Sequence, residues 1–191
     1  MNTNFGTQTA TKHKAFISFH HDDEAHRNEF ETQFGEFFIS KAVQIGDINP
    51  DNSTEYTARL IADDYISDAS VVIALYGANT HKRKHVDWEI SAGLNKKVGG
   101  HSGLVVIILP TFPINPFDQN GAYKQELLYP RLHPRTVKSL KSGFAEVYFW
   151  KCNYQFNEVN VGDIIHKAYE RRVTHKDLID NSDPQYSNNL S

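Results

Sequence analysis

The sequence predicts an α/β protein: a five-stranded parallel sheet, doubly wound in flavodoxin-like order, in three layers of helix, sheet and helix. Three observations carry this. Apolar runs such as Val71–Tyr76 and Leu104–Leu109 are uninterrupted, as strands buried on both faces require. Segments of helical periodicity alternate with such runs, so each strand is followed by a crossover that packs back on the sheet right-handedly. Finally, 191 residues suit one domain, and 39% apolar with 23% charged residues builds a core and excludes disorder.

The elements follow in order. Ala15–Phe19 reads as the first strand, after which Asp22 or Asp23 caps a helix whose Phe30, Phe34, Phe37 and Phe38 recur at three and four residues. Val43–Ile48 reads as the second strand, with a turn-rich loop from Gly46 to Ser53. Ser53 or Thr54 then caps a helix burying Tyr56, Leu60, Ile61 and Tyr65. The third strand, Val71–Tyr76, leads through Gly77, Asn79 and Thr80 into a helix over 81–97 with Val86, Ile90, Ala92 and Leu94 inward. Leu104–Leu109 is the fourth strand, and the proline-rich stretch Pro110–Pro134 reads mainly as loop. Glu146–Trp150 is the fifth strand and Val161–Arg172 the last helix. Polar composition marks 1–12 as a flexible N-terminus and 181–191 (NSDPQYSNNLS) as a flexible tail around a single domain over 13–180.

Composition excludes several functions. A net charge of -3 and a pI near 6.3 lack the positive field that nucleic acid or an anionic membrane surface needs. The longest apolar runs span six residues, against the ~20 that cross a bilayer, so no membrane span is expected. The polar start and the single cysteine, Cys152, point to a reducing cytoplasm. The P-loop, G-x-G-x-x-G, H-E-x-x-H and G-x-S-x-G signatures are missing. A phosphoacceptor receiver shares this fold, but it needs an aspartate where the third strand ends, and Tyr76 and Gly77 stand there.

Ligands in such sheets sit beyond the strands' carboxyl ends, here Phe19–Asp23, Gly46–Asp51, Gly77–Glu89 and Pro110 onward. His20, His21 and His26, or His81, His85 and Glu89, invite a metal reading. With one cysteine and no tight zinc signature, core or solvated histidines are favoured and no metal is expected. HKRKH at 81–85 reads equally as a phosphate holder near a helix start or as a solvated basic turn. In KRKHVDWEIS, His85, Trp88 and Glu89 stand at i, i+3 and i+4, placing an imidazole, an aromatic face and a carboxylate on one helix edge.

KAFISFHHDDE, the GDI after strand two, SVVIALYG and KRKHVDWEIS together resemble the TIR-like proteins of the Thoeris antiphage system, the ThsB type, over about residues 12–110. The resemblance implies a TIR fold and an enzyme that takes NAD+ as substrate, without a resident cofactor. The nicotinamide–ribose bond is broken and an ADP-ribose-derived signal made, by internal attack, by an amino acid such as histidine, or by water. Glu89 matches the family's catalytic glutamate. Many TIR enzymes carry a tryptophan four residues before it, where this chain has His85, with Trp88 adjacent to the glutamate. An anion beside the ribose favours the oxocarbenium-like transition state over the ground state, which is what a carboxylate supplies. Around it, Ser18, Phe19, His20, His21, Asp47, His85 and Trp88 are expected to bind substrate, Phe19 and Trp88 by stacking. The resemblance further implies a head-to-tail homo-oligomer, a phage trigger and a separate effector that receives the signal. Two alternatives stand beside this: a TIR-like interaction module without turnover, and a nucleoside deoxyribosyltransferase.

Overall fold

The computed structural model describes residues 11–41, 66–96, 98–150 and 160–191. Five parallel strands form one sheet: β1 (His13–Ser18), β2 (Phe38–Lys41), β3 (Val71–Tyr76), β4 (Gly103–Ile108) and β5 (Glu146–Phe149), in the order β2-β1-β3-β4-β5. The register aligns Ala15 with Val71, Val71 with Gly103, and Val105 with Glu146. This is the flavodoxin-like order expected from the sequence.

The described helices are α1 (Glu24–Phe34), α2 (Lys84–Leu94), α3 (Gln125–Leu128), α4 (Pro134–Ser142) and α5 (Val161–Thr174). Alternation along the strands sorts the core into two layers. Ala15, Ile17, Ile73, Leu75, Val105 and Ile107 face α1 and α5 through Phe30, Phe34, Ile164 and Ile165. Phe16, Val72, Tyr76, Leu104 and Val106 face α2 and α4 through Val86, Ile90, Leu94, Val137 and Leu140. Gly103 lets α5 approach closely, since a Cβ there would lie 2.0 Å from the Ala168 carbonyl oxygen.

Several expectations shift. The phenylalanine stripe does not stay on one helix. Gly35 opens a short 3-10 turn after α1, and Phe38 enters the core from β2, where it pairs with His13 and lies 6.3 Å from the Phe30 ring. The second strand of the sheet is thus Phe38–Lys41, upstream of the expected Val43. The expected strand over 43–48, its loop and the helix over 53–65 lie outside the described residues.

The helix expected over 81–97 begins at Lys84, because Thr80–Lys82 form a 3-10 turn and Arg83 is extended at φ -100°, ψ 119°. Within the stretch expected to be loop, Gln125–Leu128 form one helical turn. α4 follows, with a proline in its first turn and a left-handed glycine cap at Gly143 (φ 81°), the standard punctuation of a short helix.

The 181–191 segment, expected from its polarity to be frayed, is hydrogen-bonded to α2. Tyr186 N–H donates to Asp87 Oδ2 at 2.9 Å, and Asn181 Nδ2 donates to the Ser91 carbonyl at 3.0 Å. Asn181, Tyr186 and Asn189 are thus tied to α2 although most of the segment is exposed, a distinction composition does not make. No described helix is long and apolar enough to cross a membrane.

Candidate active site

The sheet order reverses between β1 and β3, so the loops leaving these strands flank the crevice where ligands bind in open α/β sheets. The two loops touch: Asn79 Nδ2 donates to Asp22 Oδ2 at 3.3 Å. Ser18 closes β1, fully buried, and Glu89 projects from the second turn of α2, only 8% exposed. Ser18 Oγ donates to Glu89 Oε2 at 2.5 Å. Val86–Leu94 is buried throughout, so Glu89 is carried inward by a helix with no solvated face in this stretch. Burial pushes its carboxyl up to about 8, against the opposing pull of the Ser18 hydrogen bond. At neutral pH the resting side chain is therefore mostly protonated.

A second carboxylate, Asp23, lies at the same end of the sheet. It is 2% exposed, makes no side-chain cap bond to α1, and accepts from Thr111 Oγ1 at 2.6 Å. Its oxygens press on Gly77, whose amide donates to Thr80 Oγ1 at 2.9 Å. Asp23 thus joins the loops after β1, β3 and β4. The sequence offers Asp23 as a helix cap at the edge of the expected ligand segment Phe19–Asp23, and gives Thr80 and Thr111 no signal beyond lying after strands.

The other expected site residues separate. His20 is buried; its Nδ1 accepts from the Asp22 amide at 3.0 Å, which puts the ring proton on Nε2, a buried atom with no partner. Burial first, then Arg83, lowers its pKa. His21 is mostly exposed, with Nε2 3.0 Å from Asp22 Oδ1. One ligand atom from each of His20, His21 and Asp22 lies within 4.8 Å of the others, an arrangement able to hold a metal ion. It would have to displace the Asp22 amide from His20 or use the enclosed Nε2. Phe19 is half-buried, with the Arg27 guanidinium 5.8 Å from its ring.

Trp88 does not offer the expected stacking face. Its indole is 2% exposed, Nε1 donates to the Tyr186 carbonyl at 2.9 Å, and Lys84 Nζ lies 5.1 Å from the ring. His85 packs edge-on against it at 4.9 Å, and burial lowers the His85 pKa. Asp47 lies outside the described residues.

A buried polar chain supports the start of α2. His133 Nε2 donates to the Arg83 carbonyl at 3.2 Å, which leaves Nδ1 to accept from Tyr76 Oη at 2.8 Å, and Thr136 Oγ1 lies 2.8 Å from the same hydroxyl. Burial pushes His133 down to about 4, so it is neutral in this role. Below it, Arg135 Nε donates to Asp87 Oδ1 at 2.7 Å, both side chains 1% exposed.

A family model described as the TIR-like domain of the Thoeris protein ThsB matches residues 16–112, just over half of the chain. The match runs from β1 through the loop after β4 and so includes Ser18, Asp23, Gly77 and Glu89. No curated protein matches.

Proposed function

From the premise that this chain belongs to the family of Thoeris ThsB TIR-like domains, we propose that it is a cytoplasmic enzyme that cleaves the nicotinamide–ribose bond of NAD+ and makes an ADP-ribose-derived signal in antiphage defence. The observation that carries the reading is Glu89, a buried carboxyl group held by Ser18 at the switch point of the sheet. As the C1′–N bond breaks, its electron pair leaves with nicotinamide and positive charge grows on the ribose. An ionised Glu89 beside that ring stabilises the charge more in the transition state than in the ground state.

The resting carboxyl is mostly neutral, and the cationic nicotinamide ring of a bound substrate would pull its proton off, because an opposite charge favours ionisation. Ser18 then holds one carboxylate oxygen and leaves the other for the ribose. The ribosyl cation is captured by an internal nitrogen, an amino acid such as histidine, or water. In this reading the chain works as a head-to-tail homo-oligomer set off by phage, and a separate effector receives the product.

The test is mass spectrometry of small-molecule filtrates from phage-infected cells expressing the wild type or Glu89→Gln. A new ADP-ribose-containing species is expected with the wild type only, and its mass identifies the acceptor. Matching filtrates from cells that remain protected would overturn the enzyme and leave a TIR-like interaction module.

A further inference from the structure

We propose that His20 and Arg83, with the basic turn of residues 81–85 as rim, form a binding site for a phosphate group. The site stands on the charge and geometry of the two crevice loops; its assignment to the diphosphate of a dinucleotide rests on the function proposed above.

The first observation is an orphaned donor. The His20 side chain is 2% exposed, its Nδ1 is occupied by the Asp22 amide, and its Nε2 proton faces no acceptor. Buried N–H groups are nearly always paired, so an unpaired one beside the contact of the two crevice loops is a donor available to a ligand's oxygen. Among charged groups, Arg83 acts on this ring most strongly, and Arg83 Nε is itself buried without a partner.

The second observation is a pattern of pairing. Seven cations elsewhere are matched, Lys14 and Lys41 with Asp68, Arg27 with Glu31, Lys124 with Asp118, Arg135 with Asp87, Lys138 with Asp180 and Asp183, and Arg171 with Glu146, while Lys12, Lys96, Lys141, Lys167, Arg172 and Lys176 enter no ion pair among the described residues. Lys82, Arg83, Lys84 and nearby Arg131 also enter none, and three of these four are consecutive at the start of α2. In a chain of net charge -3 this concentrates unmatched positive charge at one mouth of the crevice. Asp22 engages the other edge of the His20 ring, with Oδ2 3.2 Å from Nδ1, and also meets His21 and Asn79, so it does not occupy Nε2.

The third is placement. The turn opens an eleven-residue helix, α2, whose first amide, Lys84 N–H, already donates to Asn189 Oδ1 at 3.0 Å; the positive end of the helix adds to the field of Arg83. Arg83 precedes Glu89 by six residues, about 9 Å along the axis at 1.5 Å per residue. A ribose at Glu89 would then direct its 5′-phosphate toward Arg83 and His20. The guanidinium and the Nε2–H suit phosphate oxygens by their planar and single-point donors.

The test titrates the full chain with sodium pyrophosphate at constant ionic strength, following the melting temperature and the heat of binding. Saturable binding is expected, weakened at least tenfold by Arg83→Gln and unchanged by Lys138→Gln, which removes a cation already paired with aspartates. If Arg83→Gln loses its cooperative melt, Arg83→Lys serves instead and is expected to bind several-fold more weakly than the wild type. Non-saturable binding, or equal binding by the Arg83 variant, overturns the site.

Two combinations separate the proposals. Arg83-dependent pyrophosphate binding with filtrates unaffected by Glu89→Gln would keep the phosphate site and remove NAD+ cleavage. Glu89-dependent product with Arg83-independent pyrophosphate binding and an unchanged KM for NAD+ would do the reverse.

Discussion

A carboxyl group enclosed by helix and sheet, with one serine for company, sets its own pH dependence. If the ionised form of Glu89 is the catalytic one, kcat/KM for NAD+ cleavage reports the free enzyme's group and rises with pH toward a plateau above about 8. A profile that falls over the same range would sink the assignment of the carboxylate as the charge-stabilising group. Gly77 is constrained by a neighbouring acid: a Cβ there would lie 2.1 Å from Asp23 Oδ2, and Thr111 holds that carboxylate in place. Gly77→Ala should therefore cost about 1–3 kcal/mol, the usual range for overpacking, and combining it with Asp23→Ala should recover part of the loss in urea melts. Of these residues, the place of Glu89 on the helix after the third strand is legible locally, while its proposed role comes from the family resemblance. The environment of Trp88 is not legible: it is set by Tyr186, 98 residues away. The contacts of Asp23 are not legible in the sequence, since its neighbours Thr111 and Gly77 come from other loops.

At the scale of elements, α2 is held from outside as firmly as from within. Arg135 on α4 pairs with Asp87 on α2, and its remaining donors reach Asn181 and the carbonyls of Asp183 and Pro184. The same segment continues to Tyr186 on Asp87 and Trp88, to Asn189 on the Lys84 amide, and to Leu190 on the Lys82 carbonyl. Arg135→Ala strands a buried carboxylate and releases this strap, and should cost on the order of 3–5 kcal/mol. Hydrogen exchange should show Tyr186 and Lys84 amides losing protection, whereas exchange in α5 should change only as global stability falls; unchanged protection at Tyr186 would show that the tail docks without the pair. The strands β3 and β4 were readable because uninterrupted apolar runs have few alternatives. The strand at Phe38 is hidden because that residue continues a helical spacing that Gly35 interrupts, and α4 is hidden because nearby prolines suggest loop although Pro134 and Gly143 bracket it.

For the molecule as a whole, buried titratable groups set where stability peaks. His133 is pushed from its ordinary 6.5 to about 4, and His13, His20, His81 and His85 are also lowered, burial being the first cause in each. The unfolded chain thus binds more protons than the native one below pH 6.5, and stability is lost as pH falls through that window. Glu89 acts in the opposite sense. Its carboxyl moves from 4.5 to about 8, the native state holds the extra proton, and stability declines as pH rises between those values. Below 6.5 the several histidines outweigh the one glutamate; above it Glu89 acts alone among these groups, with a slope of about 1.4 kcal/mol per pH unit. The melting temperature should therefore peak near pH 6.5 and fall toward pH 8. In Glu89→Gln, which keeps the shape and removes the ionisation, the alkaline fall should vanish while the acid limb remains. A wild-type curve flat from pH 6.5 to 8, or a Glu89→Gln curve that falls as steeply as the wild type, would mean that water reaches this carboxyl and that the crevice is open in the resting protein.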